Sequence, residues 1–224
     1  MHFPPETLTF LRGIAEHNDK AWFEDNRRLY EAGYVQPGIA FVEAVGPQLR
    51  AISADVQFVA KVNGSVSRIN RDIRFSKDKR PYKNHLGLWF WHGDKKSWNA
   101  PGFYFHVSAE EVFIAVGKYG FDKDALETFR SSIVLNRSGN ALVDAVAKVR
   151  AVGDYQIGEK TRKLMPRGFE APADRAEYLL YEGLTASIRL PASDALEAGF
   201  SDRCVAHFAA EWPVGQWLMT ELGA

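Results

Sequence analysis

The sequence predicts an α+β fold, a single domain over residues 1–224 in which an antiparallel or mixed β-meander packs against several helices from both ends of the chain. Three observations predict this. Apolar residues recur at helical spacing towards both termini, the period changes to two in the middle, and no repeat or linker divides the 224 residues. With 46% hydrophobic residues the chain can bury a sizeable core, so disorder is not expected.

The first quarter of the chain is predicted to be helical. Apolar residues over positions 7–15 recur at helical spacing and predict the first helix. Asn18 is a candidate cap for a second helix that runs to about Ala32. Pro37 suits the first position of a third helix, which we expect to end at about Ile52.

The middle of the chain is predicted to form strands. Period-two alternation predicts strands at residues 86–92, 103–108 and 112–118, with Gly93-Asp94 as a connection. Only three residues, Ala109-Glu110-Glu111, separate the last two strands, which predicts an antiparallel hairpin. We expect the meander to include the basic segment described below.

The last part of the chain is predicted to return to helices. These C-terminal helices are interrupted twice, by an irregular basic stretch at residues 161–169 and by one half-buried strand at residues 184–190. Pro213 is expected to break or kink the last helix. The helices are predicted at residues 123–134, 140–150, 173–181 and 202–222.

Residues 68–83 hold seven cations and two carboxylates in a chain whose formal net charge is zero. The segment is therefore about +5, and such a density of like charge needs an anion or solvent among the cations. It nominates a site and a class of ligand, but no reaction. The alternative is a solvated charged face.

As a strand, this segment would place Arg71 on an apolar face between Ile69, Ile73 and Phe75. We therefore expect Arg71 to be buried and paired with a carboxylate or a bound anion. The helical interpretation instead gives a stripe of Val66, Ile69 and Ile73. We favour the strand, because Phe75 fits its apolar face.

Guanidinium forks suit phosphate or carboxylate, and nearby aromatic rings suit a base or sugar. The candidate ligand-binding residues of the segment are Arg68, Arg71, Arg74, Lys79, Tyr82 and Lys83. Asp72 and Asp78 are the candidate catalytic residues; since cations depress the pKa of a carboxylate, Asp72 is expected to act as a base. Asn26 and Arg27 are candidates for the rim of the same pocket, although the favoured interpretation of Asn26 is that it caps or bridges a loop by hydrogen bonds.

A widespread conserved hypothetical protein family carries a signature that this segment resembles: Arg68-x-x-Arg71-Asp72-x-Arg74-Phe75-x-x-Asp78-Lys79-x-x-Tyr82. The family is a domain of unknown function seen in bacteria and within longer fungal proteins. The resemblance extends over nearly the whole chain, including Trp22-Phe23-x-x-Asn26-Arg27 and Pro101-Gly102-Phe103-Tyr104. It implies one compact domain and supplies no reaction.

Common catalytic signatures are absent from the sequence: it has no Walker loop, no Gly-x-Gly-x-x-Gly after a strand and no Gly-x-Ser-x-Gly elbow. We predict no metal and no cofactor, because the six histidines lack metal-ligand spacing, although His85, His92 and His106 could meet across a sheet. One cysteine, Cys204, excludes an internal disulfide.

Three functional classes follow from these residues. The first is an enzyme acting on a small phosphorylated or carboxylated substrate held by the Arg/Lys pocket, with Asp72 as base. The second is a non-catalytic binder of nucleic acid or a polyanion, which the zero net charge disfavours. The third is a structural ion network without a ligand. No membrane partner is expected and a cytoplasmic location is the default, because the chain has no long apolar run or signal peptide; the sequence does not predict an oligomeric state.

Overall fold

The computed structural model describes residues 1–93 and 100–223. It is an α+β protein, as predicted, with a five-stranded antiparallel sheet. The strands are β1 (His85–Phe90), β2 (Gly102–Ser108), β3 (Glu111–Lys118), β4 (Gln156–Ile157) and β5 (Leu184–Pro191), in the order β1-β2-β3-β5-β4. The helices are α1 (Pro5–Glu16), α2 (Lys20–Asp25), α3 (Arg27–Tyr30), α4 (Gln36–Ile52), α5 (Lys123–Val134), α6 (Asn136–Val152) and α7 (Phe200–Leu222).

The start of α2 differs from the prediction. Asp19, not Asn18, caps this helix, because its Oδ1 atom accepts a hydrogen bond of 2.9 Å from the backbone nitrogen of Trp22. The predicted second helix is also shorter than expected. It ends at Asp25, and α3 follows as a separate short helix.

A π-helical turn, Glu31–Val35, joins α3 to α4. Gly33 is required there, because a Cβ atom at this position would lie 2.4 Å from the carbonyl oxygen of Glu6. The neighbouring Tyr34 is fully buried, and its hydroxyl donates a 2.9 Å hydrogen bond to the carbonyl oxygen of Ser67. This turn therefore fixes the chain immediately before the basic segment.

The predicted strands of the meander are confirmed as β1, β2 and β3, and the later one as β5. Asp94, predicted as part of a connection, lies outside the described residues. Gly117 has a φ of 136°, and a Cβ atom there would lie 2.2 Å from the carbonyl oxygen of Leu184. The prediction that the basic segment is a strand of the meander is wrong, since the sheet begins at β1.

Two predictions about the C-terminal half need correction. The helix expected at residues 173–181 is only a 3₁₀ turn, Ala176–Leu180. The last helix, α7, continues through Pro213 instead of breaking there. Buried Val214, Trp217 and Leu218 follow the proline, and their packing stabilises the helix despite the lost backbone donor. The predicted bounds of α5 are confirmed.

The chain forms two compact units, and the prediction of a single domain stays a prediction. Unit 1 contains Met1–Phe90, Tyr104–Ile114 and Arg189–Val205, and the remaining residues form unit 2. In unit 1, Phe3 stacks on Phe41 and Phe105, with ring centroids 5.2 and 5.7 Å apart. In unit 2, helices α5 and α6 bury apolar side chains against a core centred on Phe129, Trp217 and Leu184.

Candidate anion-binding site

We call residues 68–83 the basic loop, which belongs to unit 1. Its two ends pair like antiparallel strands: the backbone nitrogen of Arg71 donates to Pro81 (2.8 Å) and that of Lys83 donates to Ile69 (2.8 Å). Ile69 and Tyr82 are buried and anchor these ends. Residues 72–80 form the tip, which holds six of the nine charged residues of the loop.

The alternating pattern of the segment fails at this tip. Phe75, predicted to face the core, is 94% exposed. The reason is two local turns, in which Asp72 accepts a hydrogen bond from the backbone nitrogen of Arg74 (3.2 Å) and Asp78 accepts one from that of Arg80 (3.0 Å). Aspartate side chains that bond to the backbone two residues on bend the chain and end a strand.

Arg71 has the carboxylate partner that the sequence predicts. Its Nη1 atom lies 2.8 Å from Oδ2 of Asp78 and donates a second hydrogen bond of 3.0 Å to the carbonyl oxygen of Arg80. The burial of Arg71 is less complete than predicted, because 27% of its side chain is exposed. Arg80 also donates hydrogen bonds to the carboxylate of Asp78. The bonds from Arg80, and to a smaller extent that from Arg71, hold the pKa of Asp78 well below its usual range.

A second ion pair lies on the exposed part of the tip. Nε and Nη2 of Arg74 donate hydrogen bonds of 3.0 and 2.7 Å to the two carboxylate oxygens of Asp72. These bonds, with a smaller effect of Arg68, lower the pKa of Asp72. Lys79 donates a 3.0 Å hydrogen bond to the carbonyl oxygen of Ile73. Each carboxylate of the loop is thus occupied by an arginine, and its low pKa makes it a weak base.

A cleft of about 200 Å³ opens beside the base of the loop. Its lining consists of Asn18, Arg71, Asp78, Arg80, Tyr82, Lys83, Asn84 and His85. Of the candidates from the sequence, the structure brings Arg71, Asp78, Tyr82 and Lys83 together here. The remaining candidates of the loop lie outside this lining in the described part of the chain: Arg68, Asp72, Arg74 and Lys79.

Sequence reasoning missed four members of the lining: Asn18, Arg80, Asn84 and His85. Arg80 and Asn84 carried a usable signal, because one belongs to the cationic run and the other follows it directly. Asn18 carried none, since it is 64 residues from its partner Tyr82. Its side chain makes two hydrogen bonds with the backbone of Tyr82, at 2.9 and 3.1 Å.

Asn26 and Arg27 do not reach the cleft lining. Asn26, which lies between α2 and α3, donates a 2.9 Å hydrogen bond to the carbonyl oxygen of Trp22 in α2. Arg27 pairs with Glu24 and lies over the ring of Phe23, 5.3 Å from its centroid. Phe23 in turn stacks on Tyr82, with ring centroids 4.6 Å apart. Phe23 therefore connects α2 to Tyr82, whereas Asn26 is bonded to Trp22.

Two histidines meet next to the cleft. The rings of His85, on β1, and His106, on β2, have centroids 4.9 Å apart. Burial lowers the pKa of each to about 4, assisted for His85 by His106 and Lys83 and for His106 by Arg189. Both rings are therefore neutral at pH 7. The 3.7 Å approach of His106 to Glu111 is consequently a polar contact between an uncharged ring and a carboxylate.

The third histidine of the strand region lies elsewhere, since Nδ1 of His92 is 2.7 Å from the carbonyl oxygen of Pro101. Across residues 1–93 and 100–223, no group of three His, Cys, Asp or Glu side chains is arranged to hold a metal ion.

Fold and site together define an α+β protein with a cation-lined cleft beside an antiparallel sheet. The chain belongs to the conserved hypothetical protein family DUF2461, whose profile matches residues 6–217. No curated protein matches the sequence. Among the described residues, no helix combines the length and the apolarity needed to span a bilayer.

Proposed function

We propose that this protein binds a small anion, or the phosphate or carboxylate end of a larger ligand, in the cleft beside the basic loop. The observation that carries the proposal is the charge of the lining: Arg71, Arg80 and Lys83 face a single carboxylate, Asp78, around about 200 Å³. With His85 neutral, the lining is about +2 at pH 7. Such a concave set of cations concentrates field lines and attracts anions.

The size of the cleft limits the ligand. A volume of about 200 Å³ is below the 300–1,000 Å³ typical of sites that enclose a drug-sized molecule. It does accommodate a phosphate, sulfate or carboxylate group with a few waters. A larger ligand would place only its anionic group in the cleft, and the rest of the molecule would lie outside the cleft, near the exposed tip of the loop.

A second candidate function is catalysis on that ligand. The observation that favours it is the neutral imidazole of His85 in the same lining as three cations. A bound anion favours the protonated imidazole and raises the pKa of His85 from about 4, which makes the ring a better proton acceptor in the complex, whereas Asp72 and Asp78 are engaged by arginines. On this hypothesis His85, and not Asp72, is the base.

The test is a binding measurement with a matched pair of variants. Arg80 and Arg74 lie six residues apart, and each binds an aspartate two residues before it through Nε and Nη2. Only Arg80 lines the cleft in the described structure. Titration calorimetry with sulfate, phosphate, a dicarboxylate and a sugar phosphate should therefore show affinity reduced about tenfold or more in Arg80→Ala and unchanged in Arg74→Ala.

Other outcomes would reject parts of the proposal. Equal losses in the two variants would indicate diffuse attraction to the loop and not a cleft. Binding confined to oligonucleotides, and lost steeply with salt, would favour the nucleic-acid alternative. If none of these ligands binds the folded protein, the ion pairs of the loop are structural.

A further inference from the structure

Unit 2 contains a buried arginine that the proposed function does not use. Arg130, on α5, is only 8% exposed. Its Nε and Nη2 atoms are buried and have no hydrogen-bond partner among the described residues. Burying a guanidinium without a partner is strongly unfavourable, because the lost hydration is not replaced. This arrangement therefore calls for an acceptor from outside the described residues.

The two orphaned atoms form one edge of the guanidinium. Nε–H and Nη2–H point in the same direction and together bind the two oxygens of one carboxylate. Arg74 uses this same edge on Asp72 within this protein. The free edge of Arg130 is thus built for a planar two-oxygen anion.

The charges around Arg130 favour a monoanion. Burial, and after it the charge of Arg162, lowers the pKa of Arg130, while Glu182 and Glu127 raise it. Arg162 and Glu182 are also paired with each other at 3.1 Å, which leaves little surplus charge. With Arg130 these charges sum to zero, so a single carboxylate brings the site to −1 and a phosphate dianion brings it to −2, which favours the monoanion.

A cavity with a mixed apolar and polar lining lies against the same aromatic ring as Arg130. The guanidinium carbon is 5.9 Å from the ring centroid of Phe169, and Phe169 lines a cavity of about 510 Å³. The cavity is within the size range of small-molecule sites. Its lining combines the apolar residues Met165, Pro166, Phe169, Ala171, Ala176 and Leu179 with Gly168 and the charged Arg167 and Glu170; Arg130 contacts the cavity through Phe169 and is not itself part of the lining.

Access to Arg130 has a structural explanation. Residues 158–175 contain no helix or strand, and this segment supplies Phe169 and most of the cavity wall. Leu164 and Met165 in it are 80% and 51% exposed. A segment with few backbone pairings can shift to admit a ligand at low cost.

We propose that Arg130 and this cavity bind a carboxylic acid with an apolar tail, with the carboxylate on the Nε/Nη2 edge and the tail against Phe169 and Leu179. The proposal is independent of the anion cleft in unit 1. It predicts a dependence on both ends of the ligand: the charge of the head and the length of the tail.

The experiment uses the full chain and a series of butyrate, octanoate and decanoate below their micelle concentrations, with 1-decanol as the uncharged match. Calorimetry should show that affinity rises up to about fourfold for each added methylene. Decanol should bind at least about tenfold more weakly than decanoate, because it cannot accept both hydrogen bonds. Arg80→Ala weakens the cleft of unit 1 and so identifies any decanoate bound there; the binding that depends on tail length should remain in this variant.

Arg130→Met removes the guanidinium and keeps an apolar stem of similar length. It should reduce decanoate affinity at least about tenfold, while the melting temperature of the ligand-free protein stays equal or rises, because an unpaired charge has been removed. Arg137→Met, an exposed arginine of α6, is the control and should change neither quantity.

Three results would overturn the proposal. One is the absence of decanoate binding to the wild type, and another is decanoate binding that Arg130→Met leaves intact. The third is a lower melting temperature of ligand-free Arg130→Met, with its circular dichroism unchanged, because that would show a partner for the guanidinium within the protein.

Discussion

Asn18 takes both backbone hydrogen bonds of Tyr82: its Oδ1 accepts from the Tyr82 nitrogen at 2.9 Å, and its Nδ2 donates to the Tyr82 oxygen at 3.1 Å. Tyr82 lies opposite Asn70 where the two ends of the basic loop pair in antiparallel fashion. The backbone hydrogen bonds between these ends are made by the residues on either side of Tyr82, namely Pro81 and Lys83. The polar backbone groups of Tyr82 therefore point away from that arm. The Asn18 amide stands where a further strand would pair.

Asn18→Ala should destabilise the protein and weaken the anion cleft together. Two backbone groups of a buried residue would lose their partners, which lowers the free energy of unfolding by about 1–3 kcal/mol. Tyr82 lies between Arg80 and Lys83, and without the Asn18 bonds these two cations would be held less firmly in the cleft. Sulfate affinity should therefore also fall. Urea denaturation and calorimetry measure the two effects.

Asp19→Ala is the matched control for Asn18→Ala. It removes the cap of α2 at a typical cost of about 1 kcal/mol and leaves the Tyr82 bonds in place. Sulfate affinity should therefore be unchanged. If the sulfate affinity of Asp19→Ala falls as far as that of Asn18→Ala, a general loss of stability in this region explains both variants. The hydrogen bonds between Asn18 and Tyr82 then have no specific role in binding.

The affinity of the cleft for sulfate should rise as the pH falls. The pKa of His85 is about 4 in the free protein, so the ring is neutral at pH 7. A bound anion favours the protonated ring and raises this pKa. Between the two pKa values binding takes up a proton, and affinity gains at most about tenfold for each unit that the pH falls. Sulfate is the suitable probe, since its own charge is constant over this range.

His85→Asn should remove most of this pH dependence. His106 has a similarly low pKa and lies beside His85, so His106→Asn is measured in parallel. Calorimetry in buffers of different ionisation enthalpy reports the proton uptake directly. If the pH dependence is retained in His85→Asn and lost in His106→Asn, then His106 takes up the proton, and the role proposed for His85 is wrong.

Local patterns predicted most of the fold. The β2–β3 hairpin and α5 follow from short-range alternation, a short connection and helical spacing, and the structure has both elements, with a connection of two residues where three were predicted. The prediction failed where side chains compete with the backbone. Asp72 and Asp78 each bond to the backbone two residues on, which bends a segment whose apolar alternation is that of a strand.

The site was only half predictable for a similar reason. Charge density is local in the sequence, so the basic loop identified the neighbourhood and its ion pairs. Which cations line a cleft depends on the closure of the loop by Ile69 and Tyr82, and on Asn18, far away in the chain. Arg74 and Arg80 have the same local pattern, an aspartate two residues earlier, yet only Arg80 lines the cleft in the described structure.

Phe75→Ser should leave stability and sulfate binding unchanged. The ring is 94% exposed and lies 5.8 Å from the Arg74 guanidinium carbon at the loop tip, so little apolar burial is lost. The free energy of unfolding should change by less than about 0.5 kcal/mol. A loss of oligonucleotide affinity in this variant would instead support stacking of Phe75 on a base, which is worth about 1–3 kcal/mol.

Glu211→Gln should change how stability depends on pH. Glu211, on α7, is fully buried, and neither carboxylate oxygen has a hydrogen-bond partner in the described part of the chain. Burial raises its pKa well above the usual 4.5. Above pH 4.5 the unfolded chain releases this proton while the folded protein retains it, so folding takes up a proton. Stability therefore falls as the pH rises through this window.

The slope from this one group is at most about 1.4 kcal/mol for each pH unit. Glutamine has a similar shape and no titrating proton, so Glu211→Gln should gain stability relative to the wild type by up to that amount per unit between pH 5 and 7. Urea midpoints at each pH measure the difference, and Glu197→Gln, at an exposed position, is the control. Parallel stability curves for Glu211→Gln and the wild type would mean that Glu211 is ionised in the folded protein, with a partner that balances its charge.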